Sequence, residues 1–172
     1  MNGYLSKLRN VVAVNLFPQI DECFCLRPYM LRSAAGDWIR SKEGERLNLA
    51  KYRNDMAAAE VIKTELLDFV RCNPRLRSIG AVTAPAKDDP LARNLPMEWA
   101  LDIAVALRAE LLIPRKTRST QPQKNIQTIQ SLAGSTEFDD IGDHAEVLII
   151  DDTLASGDTV RELGRALHET GA

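Results

Sequence analysis

Nothing in the chain restricts its fold as much as residues 147–159, which read Val-Leu-Ile-Ile-Asp-Asp-Thr-Leu-Ala-Ser-Gly-Asp-Thr. Four branched apolar residues followed at once by acids are too short for a buried helix and suit a buried strand. Asp151 and Asp152 stand where that strand ends. A loop of small residues follows, and then a helix begins. Such a loop at a helix N-terminus binds anions, because free backbone N–H groups and the helix dipole converge on one spot. Carboxylates cannot hold a phosphate; they suit sugar hydroxyls or a divalent metal. The segment therefore offers a phosphate cradle beside a diol or metal clamp, which suits a phosphorylated sugar. Thr159 with Glu162 also makes a capping-box pattern at the start of the helix.

The elements upstream place this segment in an α/β frame. Asn54 or Asp55 can cap a helix, and Ala59, Ile62, Leu66, Phe69 and Val70 then share one helical face before Asn73-Pro74 stops it. Residues 78–84 read as a strand ended by Pro85, and the loop 86–90 is polar. A second helix spans about 97–110, with Trp99, Ile103, Ala106 and Leu107 on one face. Leu111-Leu112-Ile113 is a second strand, closed by Pro114. The polar stretch from Arg115 to about Ala145 is too long for a plain connection and reads as a functional or mobile loop. The third strand is 147–150. The last helix, 159–170, buries Val160, Leu163 and Leu167. Strand–helix alternation implies a parallel sheet covered by helices, with ligands at the carboxyl ends of the strands. The segments after Pro85, after Arg115 and after Asp151 should thus share one face.

Residues 1–46 are read as an N-terminal cover or subdomain, and 47–172 as the main domain. Val11–Phe17 reads as a strand or a short helix, Met30–Arg40 as helical, and the charged tract 41–46 as exposed. With 45% hydrophobic and 27% charged residues the chain is ordinary globular material. A net charge of -2 argues against nucleic acid as a direct ligand. No apolar run approaches the ~20 residues of a membrane span, and the N-terminus lacks a signal-peptide pattern. A reducing, cytoplasmic setting is expected. Cys23, Cys25 and Cys72 form no CxxC pair and are read as reduced thiols. His144 and His168 lack ligand spacing and carry no assigned role.

Bacterial receiver domains also place two aspartates after an apolar strand, but near the start of the domain. Here twenty residues follow Asp152, and the insert of small residues is too long for that family. The 147–159 segment instead resembles the phosphoribosyl pyrophosphate (PRPP) motif of type I phosphoribosyltransferases. That motif has four apolar residues, two acids, two mostly apolar residues, two small ones, a Gly, any residue, and a small or hydroxyl residue. Thr153 departs from it mildly. Lys51-Tyr52-Arg53-Asn54-Asp55 resembles the Lys-Tyr-x-Gly-Asp element of the competence-protein ComF branch. Ala81-Val82-Thr83-Ala84-Pro85 with Arg93-Asn94 resembles that branch's Val-Pro-Val-Pro strand end and Arg-Gly-Phe-Asn segment. Thr120-Gln121-Pro122-Gln123-Lys124 resembles its Thr-x-x-Gln-Lys loop. The resemblance covers about residues 47–172. The branch's paired-Cys zinc element is reduced to Cys23-Phe24-Cys25, so no zinc is expected. The family also continues into another strand beyond the point where this chain ends, so a smaller sheet or a shortened chain is expected.

The resemblance implies a Rossmann-like phosphoribosyltransferase core and assigns roles. Asp151 and Asp152 would be the catalytic pair, accepting hydrogen bonds from the ribose 2′ and 3′ hydroxyls and holding Mg²⁺ through those hydroxyls or water. Thr153, Ala155, Ser156, Gly157, Asp158 and Thr159 would surround the 5′-phosphate, with the Asp158 side chain facing away from the dianion. Ala86 and Lys87 occupy the pyrophosphate-loop position, although an exposed loop lysine is the plainer reading of Lys87. Arg115, Lys116, Arg118 and Lys124 would form a flap closing on pyrophosphate, against the plainer reading of a solvated basic loop. The implied activity is phosphoribosyl transfer from PRPP to an amine or nitrogenous base, releasing pyrophosphate. The alternative is a non-catalytic PRPP or nucleotide-binding regulator, or a ComF-like protein linked to DNA uptake. The acceptor is not legible, and a homo-oligomer is compatible with the sequence.

Overall fold

The computed structural model describes residues 20–118, 132–142 and 146–171, together with the backbone of Val12–Ala13. Two short strands, β1 (Val12–Ala13) and β2 (Phe24–Cys25), pair antiparallel. The rest of Val11–Phe17 lies outside the described residues. A hairpin follows, β3 (Met30–Arg32) against β4 (Trp38–Arg40). This corrects the helix expected over 30–40. The turn chemistry of 33–37 overrides the apolar spacing: the Asp37 N–H donates to the Ser33 hydroxyl at 3.1 Å, and Gly36 takes φ +89°. Arg32 lies 5.8 Å from the Trp38 ring centroid across the hairpin.

The charged tract 41–46, expected to be exposed, enters a helix, α1 (Lys42–Tyr52), in which Lys42 and Glu45 are exposed while Ser41 and Gly44 are buried. Ser41 caps it, accepting from the Gly44 N–H at 2.8 Å. The boundary expected between residues 46 and 47 thus falls within α1. Next come α2 (Met56–Cys72), capped by Asp55 through the Ala58 N–H at 2.9 Å, and a 3-10 turn at Pro74–Leu76. Then follow β5 (Ala81–Thr83), α3 (Leu95–Leu107), β6 (Glu110–Leu112), β7 (Arg115–Lys116), β8 (Thr136–Glu137), β9 (Val147–Ile149) and α4 (Asp158–Thr170). Asn94 caps α3, which begins earlier than its apolar face suggests. Arg108 ends it in the left-handed region at φ 58°, so Glu110 opens a strand instead of closing the helix.

The molecule is mixed α/β, with four helices and a three-stranded parallel sheet among the described residues. The sheet order is β6-β5-β9. Val82 lies level with Leu111 and Leu148, and Thr83 with Leu112 and Ile149. Strand alternation sends these levels to opposite faces. Val82, Leu111 and Leu148 pack with Leu47, Ala50, Ala59, Val70, Trp99 and Ile103 from α1, α2 and α3. Ala81, Leu112, Val147 and Ile149 pack with Phe138, Ile141, Leu163 and Leu167, the last two from α4. Each fully buried Ile, Leu or Val side chain contributes roughly 1.5–3 kcal/mol, so the layers on both faces hold the sheet in place. The faces expected of α2 and α4 are those that pack: Ala59, Val70, Leu163 and Leu167 are buried. No helix among the described residues is long and apolar enough to cross a membrane.

Candidate functional site at the carboxyl end of the sheet

All three parallel strands end at one level, and each runs directly into a candidate segment. β5 leads into 84–90, β6 into 113–118, and β9 into 150–157. The Ile150 N–H donates to the Thr83 carbonyl at 2.8 Å, which extends the β5–β9 pairing by one step. The Thr83 hydroxyl, fully buried, donates to the Leu112 carbonyl at 2.8 Å. The strand ends are therefore locked side by side, and Asp151 emerges beside them.

Asp151 and Asp152 are both half-buried. The Asp152 N–H donates to Asp151 Oδ1 at 2.7 Å. Burial pushes the Asp151 carboxyl up to about 6, and the neighbouring Asp152 charge adds to the rise; that hydrogen bond and the Lys51 ammonium oppose it. Lys51, from the last turn of α1, places Nζ 2.6 Å from Asp152 Oδ2. Burial works to lower the Lys51 pKa, but the hydrogen bond and attraction from Asp152 outweigh it and raise the value overall. The same ammonium lies 5.8 Å from the Tyr52 ring centroid. Lys51 is thus a site residue to which the sequence alone assigns no role. Its only signal is its place in the Lys-Tyr-x-Asn-Asp segment.

The loop after Asp152 winds through half-buried Thr153 and exposed Ala155 and Ser156 to buried Gly157. Gly157 has φ 77° and ψ 5°, a left-handed conformation that glycine adopts without steric cost, and it stands at the N-cap of α4. No side chain caps this helix. The capping box expected of Thr159 and Glu162 is therefore corrected: both lie inside the helix, and Glu162 bonds elsewhere. Asp158 pairs with Arg161 at 2.7 Å within the first turn of α4. Its N–H lies 3.4 Å from the Ser156 hydroxyl.

The loop after β5 is built from the other two motif-like segments. Asn94 donates from Nδ2 to the Pro85 carbonyl at 2.8 Å. Lys87 is exposed, and its ammonium donates to the Arg93 carbonyl. Arg93 in turn donates to Asn54 Oδ1 at 2.8 Å and pairs with Glu98 at 2.9 Å. Asn54 has φ 53°, a left-handed position where the resembled element carries Gly. Residues 51–55, 85–87 and 93–94 thus meet in space, with Lys51 reaching the acid pair.

The polar stretch after β6 forms a hairpin stem, β7 against β8, with Lys116 opposite Thr136. Lys116 Nζ lies 3.5 Å from Asp88 Oδ1, on the loop after β5. Arg115 is held at the stem by Glu137 (3.1 Å) and Asp139 (3.5 Å). Arg118 donates to the Ala133 carbonyl at 2.9 Å. Lys124, with the whole of 120–124, lies outside the described residues, as does His144. Among the described cations of this stretch, Lys116 reaches a neighbouring candidate loop. Among the described residues no group of three or more His, Cys, Asp or Glu side chains is arranged to hold a metal, and Cys23, Cys25 and Cys72 are free thiols.

The arrangement combines paired hydrogen-bond acceptors, a helix N-terminus and a cation-bearing stem at one end of a parallel sheet. No protein-family model matches the chain, and no curated protein or solved structure matches it either.

Proposed function

We propose that the chain binds PRPP at the carboxyl end of the β5, β6 and β9 strands and transfers its phosphoribosyl group to an amine or nitrogenous base. One observation carries the reading: a half-buried Asp151–Asp152 pair follows β9, and a short loop, 153–156, leads from it to a glycine-capped helix N-terminus. The acids suit the ribose hydroxyls, and the backbone N–H groups of 155–159 suit the 5′-phosphate. Thr153 and the Ser156 and Thr159 hydroxyls border the same cradle. Ala86, Lys87 and Lys116 border the place a pyrophosphate arm would take, with Arg115 and Arg118 in the stem beside it. Pairing of Asp158 with Arg161 is consistent with an acid turned from the dianion.

The donor set suits Mg²⁺ as an ion carried with the substrate. Mg²⁺ keeps several waters and is bound through one or two carboxylates plus phosphate oxygens, not by an all-protein cage. Asp151 and Asp152 would hold it through water or the ribose hydroxyls. When bound, it supplies charge stabilisation to the pyrophosphate oxygens. In the transfer the C1–O bond breaks, its electron pair leaves with pyrophosphate, and the acceptor nitrogen lone pair forms the new bond at C1. The nitrogen then loses its proton to water. The chain's own residues bind, orient and neutralise: Lys51 compensates Asp152, and Lys116 brings positive charge to the diphosphate side.

Binding without turnover is a second reading, and the departures of the upstream segments from the resembled motifs favour it: Asn54 stands where the Lys-Tyr-x-Gly-Asp element has Gly, and Ala81-Val82-Thr83-Ala84-Pro85 where the branch has Val-Pro-Val-Pro. Incubation with PRPP, Mg²⁺ and a panel of bases and amines decides between them. Transfer predicts pyrophosphate release with at least one acceptor. Bound PRPP without pyrophosphate release from any acceptor would contradict transfer.

A further inference from the structure

Glu162 lies in the second turn of α4 with its side chain only 4% exposed. A carboxylate this deep requires dedicated partners. It has four contacts, from Thr136 N–H at 2.9 Å, Gly134 N–H at 3.3 Å, and Arg165 Nε at 2.8 Å and Nη2 at 2.9 Å. Arg165 Nη2 also donates to the Thr136 carbonyl at 2.9 Å. Both backbone groups of Thr136 are therefore satisfied by a side-chain pair on α4, as a neighbouring strand would satisfy them. Burial works to raise the Glu162 pKa, but the Arg165 hydrogen bonds and the two backbone donors lower it overall. The pair stays ionised.

Thr136 stands directly opposite Lys116 in the hairpin stem. Lys116 reaches Asp88 on the loop after β5. A continuous path thus runs from the helix that follows the phosphate cradle, through Glu162 and Arg165, to Thr136, Lys116 and the diphosphate side of the site. We infer that Glu162 and Arg165 are positioning residues: they fix the β7–β8 stem to α4 so that Lys116 is held where the pyrophosphate arm of the ligand would lie. This rests on the PRPP reading and adds how its two ends are held in register.

The test compares ribose 5-phosphate, which lacks the pyrophosphate arm, with PRPP, both with Mg²⁺, on the full chain by calorimetry. E162Q keeps shape but loses one acceptor and the charge facing Arg165. The expected result is PRPP affinity about tenfold weaker with ribose 5-phosphate affinity unchanged. K116A gives a similar loss for PRPP, and the double variant loses no more than either alone, because both act on one contact. R165K, which keeps charge but loses the fork to Thr136, shows the same ligand split with a smaller loss. Equal weakening for both ligands in E162Q would reduce the pair to a general structural role, and additive effects of E162Q and K116A would break the path. If the parent protein binds neither ligand, the PRPP reading falls by itself. The tether is then judged by amide exchange: faster exchange at Gly134 and Thr136 in E162Q supports it, and unchanged exchange overturns it.

Discussion

Asp151 is the residue that bears the largest electrostatic cost in the site. Its carboxyl is raised from 3.8 to about 6, first by burial and then by Asp152. A raised acid contributes stability that is complete below the unfolded value and is lost as pH rises through the folded one. The contribution of Asp151 should therefore be lost between about pH 4 and pH 7, and Asp151→Asn should remove that part of the pH dependence. A difference of one pH unit between folded and unfolded pKa is worth about 1.36 kcal/mol, so D151N gains about 2–3 kcal/mol over the parent at pH 8, and the gain fades toward pH 4. Urea unfolding at both pH values checks this; a gain that is equal at both would contradict it. Lys51→Met should act in the opposite sense. It leaves two adjacent half-buried carboxylates without a cation, costing about 1–2 kcal/mol at pH 7. The raised Lys51 pKa means that its contribution is complete below 10.5 and is lost as pH rises through the folded value. Denaturation midpoints of parent and K51M should therefore differ at pH 7 and draw together toward pH 11.

At the scale of elements, what is legible in the sequence follows from strong local chemistry. Pro85, Pro114 and the two acids end the three strands of the parallel sheet, and Asp55 caps α2 as its position suggests. The first helix is not legible, because its residues are mostly charged and its apolar side is narrow: Gly44, Leu47 and Ala50 alone are buried. Tertiary contact sustains it. A β-carbon on Gly44 would lie 2.1 Å from the Tyr29 carbonyl oxygen, a backbone atom that cannot simply rotate away. Gly44→Ala should thus cost about 2 kcal/mol or more, although alanine is the better helix former. A stability change near zero in thermal unfolding would show that β3–β4 and α1 do not pack as described. The hairpin at 30–40 is hidden for the converse reason. Trp38 and Ile39 sit at helical spacing from earlier apolar residues, yet both are exposed on β4, and the turn through Gly36 decides the local structure. The spacing of Glu162 from Thr159 suggests a cap. Its actual partners, Thr136 and Gly134, come from a hairpin that no local pattern announces.

At the scale of the molecule, the candidate site arises because parallel strands deliver their ends to one side. The acid pair, the small-residue loop before a helix and the basic residues after β6 are each visible in the sequence, but the glycine cap, the hairpin stem and their convergence need the structure and the register of β5 with β6 and β9. Segments 51–55, 85–87 and 93–94 join them through Lys51, Asn54, Arg93 and Asn94, contacts spanning up to about a hundred residues of chain. The same layers bury the sheet on both faces, so the candidate site rests on strand ends anchored in the core, with its residues on the loops that follow them. The central proposal is that one turn combines a diol clamp, Asp151 and Asp152, with a phosphate cradle at the N-terminus of α4. A calorimetric titration of PRPP with Mg²⁺ into the parent protein and into D151N/D152N tests this most directly. The expected result is saturable binding at one site per chain in the parent and at least about tenfold weaker binding in the double variant. No binding by the parent, or equal binding by both proteins, would contradict it.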